Sequence, residues 1–213
     1  MSDHTTAPVV IVGAGLGGLA AAIALQQGGH HAIVVDKTRE LGEVGGPLGI
    51  SPPTLRLFGE WGMLEQFNRI SSATRYFETH DQAGHVESVI DYAAIPEIGS
   101  EHGRFGYADA ELSPRTVHRA DLHALLVAHL SRDRVRLRHQ LTGLAEHDDH
   151  VELTFADDAV IRTQLVIGAD GLRSTVRGLF SDDSINYCGS VIFRAVSPST
   201  VSVPARTTGC ARG

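Results

Sequence analysis

A glycine-rich segment, residues 13–18, lies between two apolar runs and restricts the fold more than any other feature. Residues 9–12 before it are mainly β-branched and predict a strand buried on both faces. Residues 16–27 after it predict a helix, and residues 32–36 predict a second buried strand. A strand, a glycine turn, a helix and a strand in this order predict a βαβ unit with a right-handed crossover.

The glycines have the spacing that dinucleotide-binding folds require. Gly13, Gly15 and Gly18 form the pattern Gly-x-Gly-x-x-Gly. The first permits a tight turn, the second lets a pyrophosphate approach the backbone, and the third lets the helix pack closely on the strand. Asp36 ends the second strand, where an acid hydrogen-bonds ribose hydroxyls and repels a ribose phosphate. The pattern favours FAD or NAD over NADP at this site.

Charge and cysteine content exclude several classes of partner. Eighteen Lys and Arg against 25 Asp and Glu give a net charge of −7, without a basic cluster, which argues against binding to nucleic acid or to anionic lipid. Residues 5–29 are uncharged, but their glycine cluster is a poor start for a membrane helix. Two distant cysteines, Cys188 and Cys210, and a start without a secretion signal predict a cytoplasmic protein.

Further elements predict a mixed α/β chain. They are a helix that begins at Pro52 and ends before Gly62, a hairpin from residues 74–80 and 85–90, a helix over 120–131, an antiparallel meander over 135–161, a buried strand over 165–168, a turn at Ala169-Asp170-Gly171, a short helix to Phe180 and a strand over 190–196. The tail over 197–213 has no periodicity, and we expect it to be poorly ordered.

Four segments resemble the class A flavoprotein monooxygenases, the family of p-hydroxybenzoate and salicylate hydroxylases. They are residues 13–18 with Asp36-Lys37, residues 50–63, residues 118–122 and residues 168–177. The resemblance runs from about Val9 to Val196. It implies a Rossmann-like FAD-binding domain of the GR2 type, with an antiparallel meander and an incomplete substrate-domain sheet. It also implies the boundaries: residues 1–72 and 108–182 for the FAD-binding domain, and residues 73–107 and 183–213 for a partial substrate domain.

The resemblance also implies a set of FAD-binding residues. Arg119 matches the family arginine that contacts the flavin cofactor, and Leu141 matches a position whose backbone approaches the adenine. Asp170 and Gly171 match a turn near the pyrophosphate that is also linked to NAD(P)H use. The full set is Gly13, Ala14, Gly15, Leu16, Gly17, Gly18, Asp36, Lys37, Arg119, Leu141, Asp170 and Gly171.

The implied reaction is hydroxylation of a small aromatic substrate. NAD(P)H would reduce FAD, molecular oxygen would add to form a flavin hydroperoxide, and one oxygen atom would pass to the ring. Arg194 and Tyr187 are candidates for contacting the substrate. The family's third fingerprint, a Gly-Asp turn that grips the riboflavin, has no counterpart before Gly213, and we therefore expect a truncated chain.

Two alternatives remain open at this point. One is a remnant that binds FAD without turnover, and the other is a different FAD- or NAD-dependent oxidoreductase, such as a reductase, a halogenase or a dehydrogenase. A metal site is not expected, because His118, His123 and His129 do not share a helical face. We expect His30-His31, and His147 with His150, to lie exposed in turns.

Overall fold

The computed structural model describes residues 4–42, 45–94, 98–100, 103–105 and 113–194. The helices are α1 (Leu16–Gln27), α2 (Pro52–Glu60), α3 (Leu64–Ile70) and α4 (Arg119–Ala128). The strands are β1 (His4–Val12), β2 (Ala32–Val35), β3 (Pro47–Ile50), β4 (Ser71–Ala73), β5 (Tyr76–His80), β6 (Val86–Asp91), β7 (Ile98–Ser100), β8 (Gly103–Phe105), β9 (Arg115–His118), β10 (Val135–Arg136), β11 (Leu141–Glu146), β12 (Val151–Phe155) and β13 (Val160–Gly168). Three short 3-10 segments cover Tyr92–Ala94, Arg132–Arg134 and Arg177–Leu179.

The central sheet has six strands in the order β10-β2-β1-β13-β12-β11. The first four strands run parallel, and β12 and β11 continue the sheet as antiparallel neighbours. The predicted βαβ unit is therefore confirmed, and the carboxyl ends of β1, β2 and β13 lie at one edge of the sheet. Ligands of open α/β sheets bind at this edge.

Two apolar cores cover the two faces of the sheet, because alternate residues of a strand point to opposite sides. On one face, Val9 and Ile11 of β1 pack with Leu19 and Ile23 of α1, together with residues of α2, α3 and α4. On the other face, Val10 and Val12 pack with residues of β11, β12 and β13. Burial of β1 on both faces explains its continuous apolar run.

The remaining strands form three small antiparallel sheets. Strand β9 lies between β3 and β4, while β5 pairs with β6 and β7 pairs with β8. The predicted hairpin is confirmed, and Asp81 closes its turn by accepting hydrogen bonds from the amide (2.7 Å) and the ring (2.9 Å) of His85. The hydrogen bond from the His85 ring is the main reason that the pKa of Asp81 lies below its usual value.

Two strand predictions are wrong in part. The predicted strand over 165–168 is the end of a nine-residue strand, β13, and Leu165 is 51% exposed instead of buried. Residues 190–194 have no regular structure, and the side chain of Phe193 is 93% exposed. A strand needs a hydrogen-bonding neighbour, and no strand among the described residues pairs with this segment. Residues 195–196 of that prediction lie outside the described residues, as does the tail over 197–213.

The helix predictions agree more closely. Helix α1 has the predicted bounds, α2 begins at Pro52, and α4 ends at Ala128, before the predicted end. Between Gly171 and residue 194, the described chain forms the 3-10 segment Arg177–Leu179 in place of the predicted short helix to Phe180. Within the described residues, no helix combines the length and the apolar character needed to cross a membrane.

Candidate functional site

Two loops meet at the carboxyl ends of the central strands. The glycine loop (residues 13–18) follows β1, and the Asp-Gly loop (residues 168–171) begins at the last residue of β13. These strands are parallel neighbours with Val12 opposite Gly168, and the Ala169 amide donates a hydrogen bond of 2.8 Å to the Val12 carbonyl. The two loops therefore lie side by side.

Close packing explains why two positions of the glycine loop carry no side chain. Gly13 has φ +112°, and a Cβ there would lie 2.6 Å from the Ala169 carbonyl carbon and 2.9 Å from the Asp170 nitrogen. A Cβ on Gly18 would overlap the Gly13 carbonyl oxygen and lie 3.3 Å from the Ala169 Cβ. Both glycines are needed for the contact between the loops and α1.

Gly15 is different, because the space beside it is open. A Cβ at this position would meet no protein atom within 4 Å. Gly15 is also the residue that caps the start of α1, and it makes no side-chain hydrogen bond to the first amides of this helix. The amides at a helix start carry partial positive charge and bind anionic groups such as phosphate. The structure thus has room for an anion where the sequence predicts a pyrophosphate.

Asp36 ties the glycine loop to the end of β2. Its carboxylate accepts hydrogen bonds from the amides of Ala14 (2.7 Å) and Thr38 (2.8 Å). An ionised carboxylate has about four acceptor sites, so it can also accept hydrogen bonds from hydroxyl groups. The predicted acid therefore holds the loop in place and still offers acceptors to a ligand.

His123 is a site residue that the sequence analysis did not assign. It lies on α4, is only 9% exposed, and its Nε2 donates a hydrogen bond of 2.7 Å to the Ala14 carbonyl. The Ala14-Gly15 peptide is therefore held through its carbonyl, while Asp36 holds the Ala14 amide. Because the carbonyl and the amide of a trans peptide point in opposite directions, this contact also fixes the direction of the Gly15 N–H.

Replacing His123 with leucine is expected to lower the free energy of unfolding by about 1–3 kcal/mol, because the buried Ala14 carbonyl loses its donor. Glutamine at this position keeps an N–H donor and should recover part of the loss. Urea denaturation measures both variants, with His31→Leu at an exposed position as the control. A leucine variant as stable as the unmodified chain would show that the hydrogen bond has no structural role.

A first cleft of about 470 Å³ opens beside both loops. It is lined by predicted residues from four segments of the chain, which are Gly13, Asp36 with Lys37, Leu141 and Asp170. The structure thus brings together residues that are far apart in sequence. Six other lining residues were not assigned to the site from the sequence, namely Val12, Val35, His139, Gln140, Arg173 and Thr175. Arg173 and Thr175 belong to a segment that was already singled out, while His139 and Gln140 directly precede Leu141.

A second cleft of about 740 Å³ is lined by Ala14 and Gly15 of the glycine loop. Asp36 lines this cleft as well as the first, and Arg119, Thr38 and Glu40 line it too. The Arg119 amide donates a hydrogen bond of 3.1 Å to the Gly46 carbonyl, which connects the start of α4 to the residues before β3. Both clefts are lined by Asp36 and by residues of the glycine loop, so they lie next to each other at the carboxyl ends of the central strands.

The Asp-Gly loop is stabilised from within. The Asp170 carboxylate accepts hydrogen bonds from the Ser174 hydroxyl and from the amides of Thr175 (2.6 Å) and Val176 (3.2 Å). Gly171 has φ +82°, a conformation that other residues rarely adopt. These contacts hold residues 174–176 close to Asp170. Asp170 therefore stabilises this loop, whether or not it also contacts a ligand.

The two candidate substrate contacts line neither of these clefts. Tyr187 is 74% exposed, and neither cleft includes it. The Arg194 guanidinium donates a hydrogen bond of 3.4 Å to the Pro47 carbonyl, and its side chain packs against Gly46. Within the described residues, neither side chain contacts the glycine loop. For both residues, a contact with substrate stays a prediction.

Comparison with known sequences connects this site to a family. The profile of the family described as "FAD binding domain" matches residues 6–202. The chain is 31% identical over 192 residues to 6-hydroxynicotinate 3-monooxygenase of Bordetella bronchiseptica, covering 90% of this chain and 48% of the relative. It is 30% identical over 198 residues to 3-hydroxybenzoate 6-hydroxylase 1 of Aquipseudomonas alcaligenes, covering 90% and 47%. The chain spans about half the length of the curated relatives it matches.

Solved structures have the same fold. Superposition on p-nitrophenol 4-monooxygenase from Pseudomonas putida gives a TM-score of 0.71 at 23% identity, covering 86% of this chain and 46% of the other. Superposition on HpxO of Klebsiella pneumoniae, complexed with FAD and uric acid, gives a TM-score of 0.65 at 24% identity, covering 84% and 42%.

Proposed function

Because the chain belongs to the FAD-binding-domain family of class A flavin monooxygenases, we propose that it binds FAD along the two clefts and supports hydroxylation of a small aromatic compound. The observation that carries this proposal is the contact between the glycine loop and the Asp-Gly loop. Each loop alone is a common turn, whereas the contact between them places Gly15, Asp36 and Asp170 beside two clefts that share Asp36.

The two clefts would hold different parts of the cofactor. The first cleft, with Leu141 and Asp36, would hold the adenosine, and the Asp36 carboxylate would accept hydrogen bonds from ribose hydroxyls. The start of α1 beside Gly15 would hold the pyrophosphate. Arg119 in the second cleft would donate to pyrophosphate or ribityl oxygens through its fork of N–H groups.

FAD, when bound, supplies the redox chemistry, in which NAD(P)H and oxygen are consumed and one oxygen atom enters the aromatic ring while the other becomes water. The residues of this chain would bind and orient the cofactor, and no protein nucleophile or resident metal is required. The names of the two curated relatives, a hydroxynicotinate and a hydroxybenzoate hydroxylase, support an aromatic acid as the substrate. We place the reaction in the cytoplasm.

The proposed domains agree with the positions of the clefts. All residues that line the first and second clefts fall within residues 1–72 and 108–182, the proposed FAD-binding domain. The β5-β6 hairpin belongs to residues 73–107, which we assign with residues 183–213 to part of a substrate domain.

Replacing Asp36 with alanine is expected to weaken FAD binding by about 1–3 kcal/mol, because one or two partly buried hydrogen bonds are lost. The variant also removes the acceptor for the Ala14 amide, so the loop itself should become less ordered. Calorimetric titration with FAD measures the change, and Asp182→Ala, an exposed position, serves as the control. An unchanged dissociation constant for FAD would show that Asp36 does not contribute to the proposed site.

The function is tested in two steps. Flavin absorbance of the purified chain reports binding, and NAD(P)H oxidation in the presence of hydroxylated aromatic acids reports turnover. Binding followed by substrate-dependent oxidation would support the monooxygenase. The second candidate is a chain that binds FAD without turnover, and FAD binding without substrate-dependent oxidation would favour it. A chain stabilised more by NAD than by FAD in a thermal-shift comparison would instead indicate a dehydrogenase.

A further inference from the structure

The turn between β11 and β12 carries an unusual concentration of metal-binding side chains. Residues 146–152 read Glu-His-Asp-Asp-His-Val-Glu, with four acids, two histidines and no Lys or Arg. The turn lies at the opposite end of β11 from Leu141, which lines the first cleft. The cluster is therefore separate from the proposed FAD site.

Strand register places three of these side chains on one face. The amide of His147 donates a hydrogen bond of 2.8 Å to the His150 carbonyl and closes the turn, and Ala145 lies opposite Glu152. Directly opposed residues share a face of an antiparallel pair, and so do residues two apart on one strand. His147, His150 and Glu152 consequently project to the same side, and the small side chain of Ala145 leaves space beside Glu152.

Their ligand atoms already lie close together. Each of the three residues offers one nitrogen or oxygen, and these atoms all lie within 4.8 Å of one another. The rings of His147 and His150 are stacked with centroids 4.6 Å apart. Bonds of about 2.0–2.2 Å to a tetrahedral zinc ion place ligand atoms about 3.4 Å apart. The exposed His147 side chain would have to rotate to bring the ligand atoms to this spacing.

The neighbouring carboxylate is placed as in known metal sites. Asp149 accepts a hydrogen bond of 2.7 Å from Nδ1 of His150. A carboxylate that accepts from one ring nitrogen fixes the tautomer and leaves the other nitrogen with its lone pair available to a metal. Glu152 receives a hydrogen bond of 3.1 Å from Arg162 on one oxygen, and its second oxygen remains for coordination.

We propose that His147, His150 and Glu152 form a surface site for a divalent transition-metal ion such as Zn²⁺, with Asp149 orienting His150. Two imidazoles and one carboxylate suit zinc, copper or nickel, whereas calcium and magnesium prefer sites built only from oxygen ligands. The surrounding acids add negative charge that attracts a cation. The proposal is independent of FAD binding, and it departs from the expectation that these histidines are merely exposed.

The test is a calorimetric titration of the full, metal-free and tag-free chain with Zn²⁺. We expect one equivalent to bind, His147→Ala and His150→Ala to abolish this binding, and Asp149→Ala to weaken it by about tenfold or more. The matched control is His85→Ala in the β5-β6 hairpin, where an exposed histidine also pairs with an aspartate. This variant should bind Zn²⁺ as the unmodified chain does.

Two results would overturn the proposal. One is a chain that binds no stoichiometric Zn²⁺, and the other is binding that persists unchanged when His147 and His150 are both alanine. Circular dichroism verifies that each variant is folded. The absorption bands of bound Co²⁺ in the unmodified chain give a second measurement, because a site with two nitrogen ligands and few waters has stronger visible bands than hexaaqua cobalt.

Discussion

The Gly18→Ala variant is expected to lose about 3 kcal/mol of unfolding free energy, near the upper end of the usual cost of overpacking. The added methyl group would overlap the Gly13 carbonyl oxygen, which is backbone and cannot rotate away. Gly13 is itself fixed, because its amide donates a hydrogen bond of 2.8 Å to the Val35 carbonyl. Relief of the overlap therefore requires α1 to move away from the glycine loop.

Urea denaturation followed by circular dichroism measures this loss. The matched control is Gly17→Ala, one residue earlier in the same helix, where an added Cβ meets no protein atom within 4 Å. Alanine has a higher helix propensity than glycine, so the control should be as stable as the unmodified chain or more stable by about 0.5–1 kcal/mol. Equal stability of the two variants would contradict the close packing of α1 on the loop.

The Gly15→Ala variant is expected to keep its stability and to lose FAD affinity by about 100-fold, which corresponds to about 2.7 kcal/mol. The methyl group would project into the open space beside the start of α1. We expect the protein to tolerate it there, but the proposed pyrophosphate would occupy the same space. The variant should therefore lose FAD affinity while its stability stays unchanged.

Thermal unfolding and calorimetric titration with FAD measure the two properties on the same sample. Gly178→Ala serves as the control for binding, because it also adds a methyl group that meets no protein atom within 4 Å and it lines neither cleft. A Gly15→Ala variant that binds FAD as tightly as the Gly178→Ala variant would show that the pyrophosphate does not lie beside Gly15.

The sequence predicted the centre of the fold because the signals there are local. The apolar run before Gly13, the helix after it and the acid at residue 36 lie within a short segment, and each follows from periodicity or turn chemistry. The contact between the glycine loop and the Asp-Gly loop is long-range. Its prediction depended on the family resemblance, and the pairing of Val12 with Gly168 agrees with it.

Other features of the site depend on tertiary contacts that periodicity does not encode. His123 and Ala14 are 109 residues apart, and no local pattern distinguishes a histidine that holds a carbonyl from an exposed one. Helix α3 was also missed, although the spacing of Leu64, Phe67 and Ile70 is helical and Phe67 is fully buried. The helical spacing of α3 can be recognised in the sequence, whereas the contact between His123 and Ala14 can be seen only in the folded structure.

The errors at Leu165 and residues 190–194 have a common cause. An apolar β-branched run predicts a buried strand only if other elements cover its faces and edges. Among the described residues, β13 is flanked by β1 and β12, yet Leu165 is largely exposed. The segment after Tyr187 has no neighbouring strand. Burial depends on the elements that surround a run as well as on its own residues.

The central claim is that the two loops hold the adenine half of one FAD molecule. Calorimetric titration of the unmodified chain with FAD, alone and with an excess of ADP or of FMN, tests it most directly. We expect one FAD per chain, an apparent dissociation constant that rises in ADP, and no change in FMN. Competition by FMN with no effect of ADP, or no binding of FAD, would contradict the account.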